Sequence, residues 1–126
     1  MTKAIVTVEK GADGNYWCST EFGDGGFNGC GATVEEAKKD LEACLKEASE
    51  AGDIKGEVRL EYKYDLQSFF NYFDCFNVNE VARRAGINPS LHRQYSSGCK
   101  KAGEKTYERL SECFSNIKKD LQAASF

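Results

Sequence analysis

The chain has 126 residues, of which 40% are hydrophobic and 29% are charged. This length is enough for one ordinary domain or two very small ones, and the composition is typical of a globular rather than a disordered protein. No stretch approaches the ~20 apolar residues that span a membrane, and the first residues turn polar too quickly for a signal peptide. We therefore expect a cytoplasmic protein with no membrane partner.

Six cysteines are scattered singly, at positions 18, 30, 44, 75, 99 and 113, and His92 is the one histidine. A tetrahedral zinc site needs closely spaced Cys and His pairs, and this sequence has none. We predict no metal site and no other cofactor. The cysteines are expected to be free, mostly buried thiols in a reducing compartment, with a disulfide framework as the alternative.

The net charge of −3 is unevenly distributed along the chain. Residues 1–64 hold 8 Lys and Arg against 13 Asp and Glu, whereas residues 65–126 hold 9 against 7. Within 77–111 the balance is 7 against 3. Such a local positive excess favours a surface that binds a phosphate backbone, although many solvated helices carry similar runs.

The first half of the chain has the alternating pattern of β-strands. β-Branched and aromatic residues favour strands at 3–10 and 15–22 and a short third strand at 27–31. The glycine-rich clusters 11–14 and 23–26 are predicted turns. The segment 57–63 alternates strictly and predicts a half-buried strand with Val58, Leu60 and Tyr62 on one side.

A helix is predicted between these strands, opened by a capping box at Thr33 and Glu36. Apolar side chains recur behind the box at helical spacing, and Gly52 ends the helix. The charged positions between them are expected to face water, and these are Lys38, Lys39, Asp40, Glu42, Lys46 and Glu47. The first half is thus predicted to be a small antiparallel ββ(β)αβ domain.

After residue 64 the apolar period changes from 2 to 3.6 residues. The second half is therefore predicted to be all-α, and the fold class α+β, with domains at 1–64 and 65–126. The predicted helices are one capped by Asp65, one over 78–85, one opened by Asn88 and Pro89 and ended by Gly98, and one over about 104–123.

The segment 81–98 is typical of a phage-repressor-type helix-turn-helix. Two helices that cross steeply need a small residue where they touch, which Ala82 supplies, and a glycine in the turn, which is Gly86. Ile87 is expected to fill the space beneath both helices. The second helix must bury one stripe, and the predicted inner residues are Leu91, His92 and Tyr95, with the histidine partly buried.

The outer stripe of that helix and the residues after it are the candidate DNA contacts. Arg93 suits the two acceptors of guanine and Gln94 suits adenine, whereas hydroxyl and lysine side chains suit phosphates. The predicted DNA-binding residues are Asn88, Pro89, Ser90, Arg93, Gln94, Ser97, Lys100 and Lys101. Short helices joined by Ala and Gly also build ordinary helical bundles, which is the alternative interpretation.

Together the two halves resemble the HicB family of antitoxins, in the variant with a C-terminal helix-turn-helix. The resemblance covers nearly the whole chain and rests on the two-stranded start, the turn at 24–27, Gly-Cys-Gly at 29–31 and Thr-Val-Glu-Glu-Ala at 33–37. It implies that the first half is an incomplete ribonuclease-H-like fold that binds and masks a HicA toxin, a small ribonuclease. It also implies that the second half binds the operator of its own operon.

We therefore expect an antitoxin-like transcriptional repressor that binds double-stranded operator DNA and a small ribonuclease toxin. A homodimer or higher even oligomer is expected, because one recognition helix reads too few base pairs, and the last helix is a candidate dimer surface. The alternatives are an orphan regulator or interaction module without a toxin, and an enzyme or ligand-binding domain. No enzymatic activity is expected, because the acidic residues of the first half lie at strand ends, at turns and on the outer helix face rather than converging on metal ions.

Overall fold

The first half of the chain contains four strands, with one helix between the third and the fourth. The second half contains the other described helices. The computed structural model describes residues 2–22 and 25–126. The elements in this part are β1 Thr2–Lys10, β2 Tyr16–Phe22, β3 Gly25–Gly31, α1 Val34–Glu50, β4 Val58–Tyr64, α2 Leu66–Tyr72, α3 Val78–Ala85, α4 Pro89–Ser96 and α5 Glu104–Gln122. The α+β class predicted from the two periodicities is confirmed. None of the described helices is both long enough and apolar enough to cross a membrane.

The sheet is mixed, so the prediction of an antiparallel sheet was wrong for one strand. Its order is β3-β2-β1-β4; β2 is antiparallel to both β1 and β3, whereas β4 runs parallel to β1. The register places Thr2 opposite Val58 and Val8 opposite Tyr64. The reason is the connection: α1 carries the chain back across the sheet, so β4 runs in the same direction as β3 and β1.

One predicted turn is partly strand. Gly25 and Gly26 belong to β3, where they lie opposite Phe22 and Glu21. The other two residues of the predicted turn, Gly23 and Asp24, lie outside the described residues. The predicted third strand at 27–31 is present but begins two residues earlier than expected.

Helix α1 covers one face of the sheet, and its two ends follow the predicted local chemistry. The Thr33 hydroxyl accepts from the backbone N–H of Glu36 at 3.2 Å, while the Glu36 carboxylate accepts from the N–H of Ala32 at 2.9 Å. Gly52 takes a left-handed φ of +82° at the other end, as a glycine after a helix does. The core beneath consists of Val6, Val8, Tyr16, Cys18, Val34, Ala37 and Leu41.

Lys38 is buried, contrary to the prediction that it faces water. Its ammonium lies 4.1 Å from the ring centre of Tyr62 and 3.5 Å from that of Tyr72, and it donates a hydrogen bond to the Tyr64 hydroxyl. Burial lowers the pKa of Lys38 and raises the pKa of Tyr62 to about 12. The tyrosine ring faces and the Tyr64 hydroxyl thus offset the cost of removing the ammonium from water. Helical periodicity cannot predict this burial, because these contacts come from other elements.

The chain divides into a first unit, residues 1–72, and a second unit, residues 73–126. The boundary predicted from sequence lay eight residues earlier, before α2. Asp65 caps α2 as predicted, accepting from the Ser68 N–H at 2.8 Å. A hydrogen bond also joins α2 to the start of α1, because the Asn71 side chain accepts from the N–H of Val34 at 3.0 Å. Helix α2 is therefore part of the first unit.

Candidate nucleic-acid interface

Helix α3 of the second unit ends in a tight, glycine-dependent turn. Gly86 has a left-handed φ of +72° and donates to the Arg83 carbonyl at 3.3 Å, and the next N–H, of Ile87, donates to the Ala82 carbonyl at 2.9 Å. This hydrogen-bond pair is a Schellman motif, in which an apolar side chain after the glycine packs back on the helix. Ile87 and Ala82 are both buried, so the turn and the small contact residue are positioned together, as predicted.

Three residues, 86–88, separate the end of α3 from the start of α4. The Asn88 side chain accepts from the N–H groups of Ser90 and Leu91 at 2.9 and 3.3 Å, and Pro89 occupies the first helical position. The helix is closed by Gly98, with a φ of +85°. Two short helices joined by the residues 86–88 have the connection length of a helix-turn-helix.

His92 lies on the inner side of α4 and connects this helix to α3. This side chain is 0% exposed, and its Nδ1–H donates to the carbonyl of Val78, in the first turn of α3, at 3.0 Å. Burial lowers the pKa of His92 below its ordinary value, against the opposing effect of that hydrogen bond. The prediction of a partly buried histidine understated its burial, while Leu91 and Tyr95 are half-buried as part of the same inner stripe.

The outer side of α4 is open to solvent. All of the predicted DNA contacts are exposed: Asn88, Pro89, Ser90, Arg93, Gln94, Ser97, Lys100 and Lys101. Of these, Asn88 already uses its side-chain oxygen as the cap of α4, which leaves its amide N–H₂ as the group for a ligand.

Two residues outside the predicted set contribute to this surface. Asn79, on the first turn of α3, accepts a hydrogen bond from Nη1 of Arg93 at 3.0 Å. Arg109, on α5, donates to the Gly86 carbonyl at 3.3 Å and so ties α5 to the turn. Asn79 lies two positions after Asn77, whose side chain caps α3 by accepting from the Glu80 N–H at 3.1 Å, and its sequence signal was only that of a polar residue near a helix start. The sequence signal for Arg109 was a cation in the basic segment, with no indication of its partner.

The surface of the second unit is weakly positive. Residues 73–126 contain 9 Lys and Arg against 6 Asp and Glu. The basic residues of 77–111 are all exposed, namely Arg83, Arg84, Arg93, Lys100, Lys101, Lys105 and Arg109. Arg83 forms an exposed ion pair with Glu80 at 3.0 Å, and exposed pairs of this kind contribute little to stability. The excess charge is thus available to an anionic partner.

The cysteines differ in exposure. All six are free, as predicted, but the expectation that most are buried was wrong: Cys18 and Cys113 are buried, Cys30 and Cys44 are half-buried, and Cys75 and Cys99 are exposed. Burial raises the pKa of Cys18 to about 11 and also raises that of Cys113. Both buried thiols are therefore protonated at neutral pH, and the thiol is a poor nucleophile compared with the thiolate.

Thiol labelling of the native protein is expected to separate these classes. Cys75 and Cys99 should react with a disulfide reagent within the first phase, because both are exposed. Cys18 and Cys113 should react only on the timescale of unfolding, because burial shields both thiols and raises their pKa. Mass spectrometry of labelled peptides over time measures the order. Early labelling of Cys18 at neutral pH would show that this thiol is not buried.

Among the described residues, no group of three or more His, Cys, Asp or Glu side chains is arranged to hold a metal ion. The comparisons with known proteins add no relative: no family model, no curated protein and no solved structure matches this chain significantly.

Proposed function

We propose that this protein is a DNA-binding transcriptional repressor that reads its operator through α4. The observation that supports it best is the pairing of α3 and α4 across the turn 86–88, with His92 buried on one side of α4 and Arg93 and Gln94 exposed on the other. In helix-turn-helix proteins the second helix lies in the major groove. That helix has one buried side and one polar side, and the short helix before it packs against its start. The unit acts by binding, and no catalytic step is proposed.

The roles of the exposed residues follow from their chemistry. Arg93 has five N–H donors, and the bond to Asn79 uses one of them, leaving the guanidinium oriented and able to meet the O6 and N7 acceptors of guanine. Gln94, the next residue, suits the donor and acceptor of adenine. Ser90, Ser97, Lys100 and Lys101 suit phosphate oxygens, which set the position of the helix but carry no sequence information.

The proposal extends to the first unit as the partner-binding half of an antitoxin. This part rests on the resemblance of 24–31 and 33–37 to HicB proteins. A neighbouring gene for a small basic protein with a single histidine would support a ribonuclease toxin as the partner. An operon without such a gene would favour an orphan regulator instead.

The decisive test is a mobility-shift titration with the DNA upstream of the coding sequence. Arg93→Ala/Gln94→Ala is expected to weaken binding to that DNA by about 100-fold or more, since each good base contact contributes about 1–3 kcal/mol, while weak binding to unrelated DNA persists. The matched control is Asn116→Ala/Lys118→Ala, which removes one amide and one positive charge from exposed positions of α5 and is expected to leave the shift nearly unchanged.

The phosphate contacts have a separate signature. Lys100→Ala/Lys101→Ala is expected to weaken binding to all sequences alike and to reduce the slope of log affinity against log salt by roughly 2. If the wild-type protein shows no shift above non-specific binding, the α3–α4 pair is an ordinary helical bundle and the proposal is wrong.

A further inference from the structure

Strand β4 forms one edge of the sheet, and its backbone is oriented to accept another strand. The parallel ladder with β1 starts with the Thr2 N–H donating to the Glu57 carbonyl at 2.9 Å and ends with the Asp65 N–H donating to the Val8 carbonyl at 3.4 Å. Odd-numbered residues therefore direct their backbone groups toward β1. Val58, Leu60 and Tyr62 direct theirs toward the open edge, which is a template for strand pairing.

The side chains of this edge are sorted by face. Val58, Leu60 and Tyr62 point to the α1 side and are half-buried. The other face carries charged, exposed residues whose signs alternate at every second position: Glu57, Arg59, Glu61 and Lys63. Edge strands often carry charges that discourage pairing, so the order of the signs decides whether this edge repels or attracts a second copy.

We infer that β4 pairs with β4 of a second copy of this chain, antiparallel about a two-fold axis at Leu60. In this register Arg59 lies opposite Glu61 of the second copy, and Glu57 lies opposite Lys63 of the second copy. Each contact occurs twice by symmetry, so every charged side chain of the edge faces one of opposite sign. The inference uses only residues of the first unit and is independent of the proposed DNA binding.

The charge order selects this register against its neighbours. A shift by two residues in one direction places Glu61 opposite itself and Arg59 opposite Lys63; a shift in the other direction places Arg59 opposite itself and Glu57 opposite Glu61. Both bring like charges together across the strands. In a shift by one residue, the outward-pointing backbone groups of one copy would lie opposite residues of the other copy whose backbone groups point toward β1. Such a shift would also place side chains of opposite faces next to each other.

The apolar side of the edge is also suited to a second copy. A groove of about 770 Å³ lies between α1 and β4, and its apolar lining comes from Leu45 of α1, Ile54 of the connecting loop, and Val58 and Leu60 of β4. Because Leu60 lies on the proposed axis and lines the groove, pairing brings the two grooves together. Each copy then covers apolar surface of the other in addition to the new backbone hydrogen bonds.

The test is the association state of the full chain without DNA, measured by sedimentation velocity over a range of concentrations. The wild type is expected to dimerise, and Lys63→Glu, which sets two glutamates against each other at both ends, to weaken the dimer by about tenfold or more. The exchange Glu57→Lys/Lys63→Glu restores opposite charges at every contact of the proposed register, whereas each shifted register keeps a like-charged contact on its axis. This variant is expected to bring the dimer back. Lys39→Glu, an equal change of charge at an exposed position of α1, is the control.

Amide hydrogen exchange gives a second, residue-specific measurement. In the dimer the amides of Leu60 and Tyr62 should be protected, and in Lys63→Glu they should exchange faster while those of Arg59 and Glu61, which face β1, stay protected. A monomeric wild type, a dimer indifferent to Lys63→Glu, or a dimer whose Leu60 and Tyr62 amides exchange freely would overturn the inference. None of these outcomes bears on whether α4 binds DNA, which the mobility shift measures separately.

Discussion

Replacing Gly29 with alanine is expected to lower the free energy of unfolding of the first unit by about 3 kcal/mol or more, which is the upper part of the range for overpacked cores. Gly29 is buried in β3, on the side that faces α1. An added Cβ would lie 2.3 Å from the backbone nitrogen of Leu41 and 2.5 Å from the carbonyl oxygen of Ala37. These are backbone atoms of the helix, and they cannot rotate away as the end of a side chain can.

The methyl group therefore has to displace the whole helix. Leu41 and Ala37 are themselves 0% exposed and form part of the core with Val6 and Val8. Moving α1 away from β3 would open space in that core, and loss of close packing there adds to the cost. The effect should reach DNA binding or association only indirectly, through the population of folded protein.

Gly26→Ala is the matched control for this prediction. It makes the same substitution in the same strand, but an added Cβ would meet its nearest atom, Cγ of Glu21, at 3.7 Å, an ordinary contact. Its stability is expected to stay within about 0.5 kcal/mol of the wild type. Urea unfolding followed by the fluorescence of Trp17, the one tryptophan, measures both variants in the first unit. Equal midpoints for the two would contradict the close approach of α1 to Gly29.

Gly29 also illustrates what the sequence predicts and what it leaves open. The glycines at 29 and 31 were visible as a motif, but nothing in their pattern indicated that α1, which begins a few residues later, packs directly against both of them. The helix starts at Thr33 and Asn88, in contrast, were predicted. Each of these side chains accepts from an N–H two or three residues away, so the interaction is complete within a short segment. The cap of α3, Asn77, was not predicted, although its bond to the Glu80 N–H is equally local.

The choice of strand partner could not be predicted for the same reason. The alternation of 57–63 indicated a half-buried strand, and the structure contains one, but parallel pairing of β4 with β1 depends on the path of α1 across the sheet. Lys38 was misplaced because helical spacing puts it one position from the apolar stripe, and only the three tyrosines of β4 and α2 make its burial tolerable.

For the candidate interface, the inner and outer sides of α4 followed from helical spacing, because a short helix against a core has one buried stripe. The hydrogen bonds that fix the geometry of α4 could not be predicted from that spacing. The contacts of Arg93 with Asn79 and of Arg109 with Gly86 join residues 14 and 23 positions apart, and their partners depend on how three helices pack.

The second large expected effect is a loss of stability of the second unit as the pH falls below about 6.5, the pKa of an unperturbed histidine. His92 is fully buried, and burial lowers its pKa in the folded protein. Above the unfolded pKa both states are neutral and the stability is unaffected. Below it, the unfolded chain binds a proton that the folded unit does not, so the free energy of unfolding falls by up to about 1.4 kcal/mol per pH unit until the folded pKa is reached.

A titration of the Cε1–H resonance by NMR measures this directly, because His92 is the one histidine of the chain. The midpoint in the native protein should lie below the midpoint of the same protein in concentrated urea, which serves as the matched control. Thermal unfolding followed through the amides of α3–α5 should then show a lower midpoint temperature at pH 5.5 than at pH 7. A native midpoint at or above the unfolded one would show that the ring is accessible to protons in the folded unit.

The consequence for the proposed function comes from where His92 lies. Its Nδ1–H bonds the carbonyl of Val78, and so it joins the middle of α4 to the first turn of α3. Protonation requires a buried cation in the apolar space between these helices, which costs far more than solvating the same charge in an unfolded chain. Acidification is therefore expected to separate α4 from α3, and operator affinity should fall together with the stability of the unit.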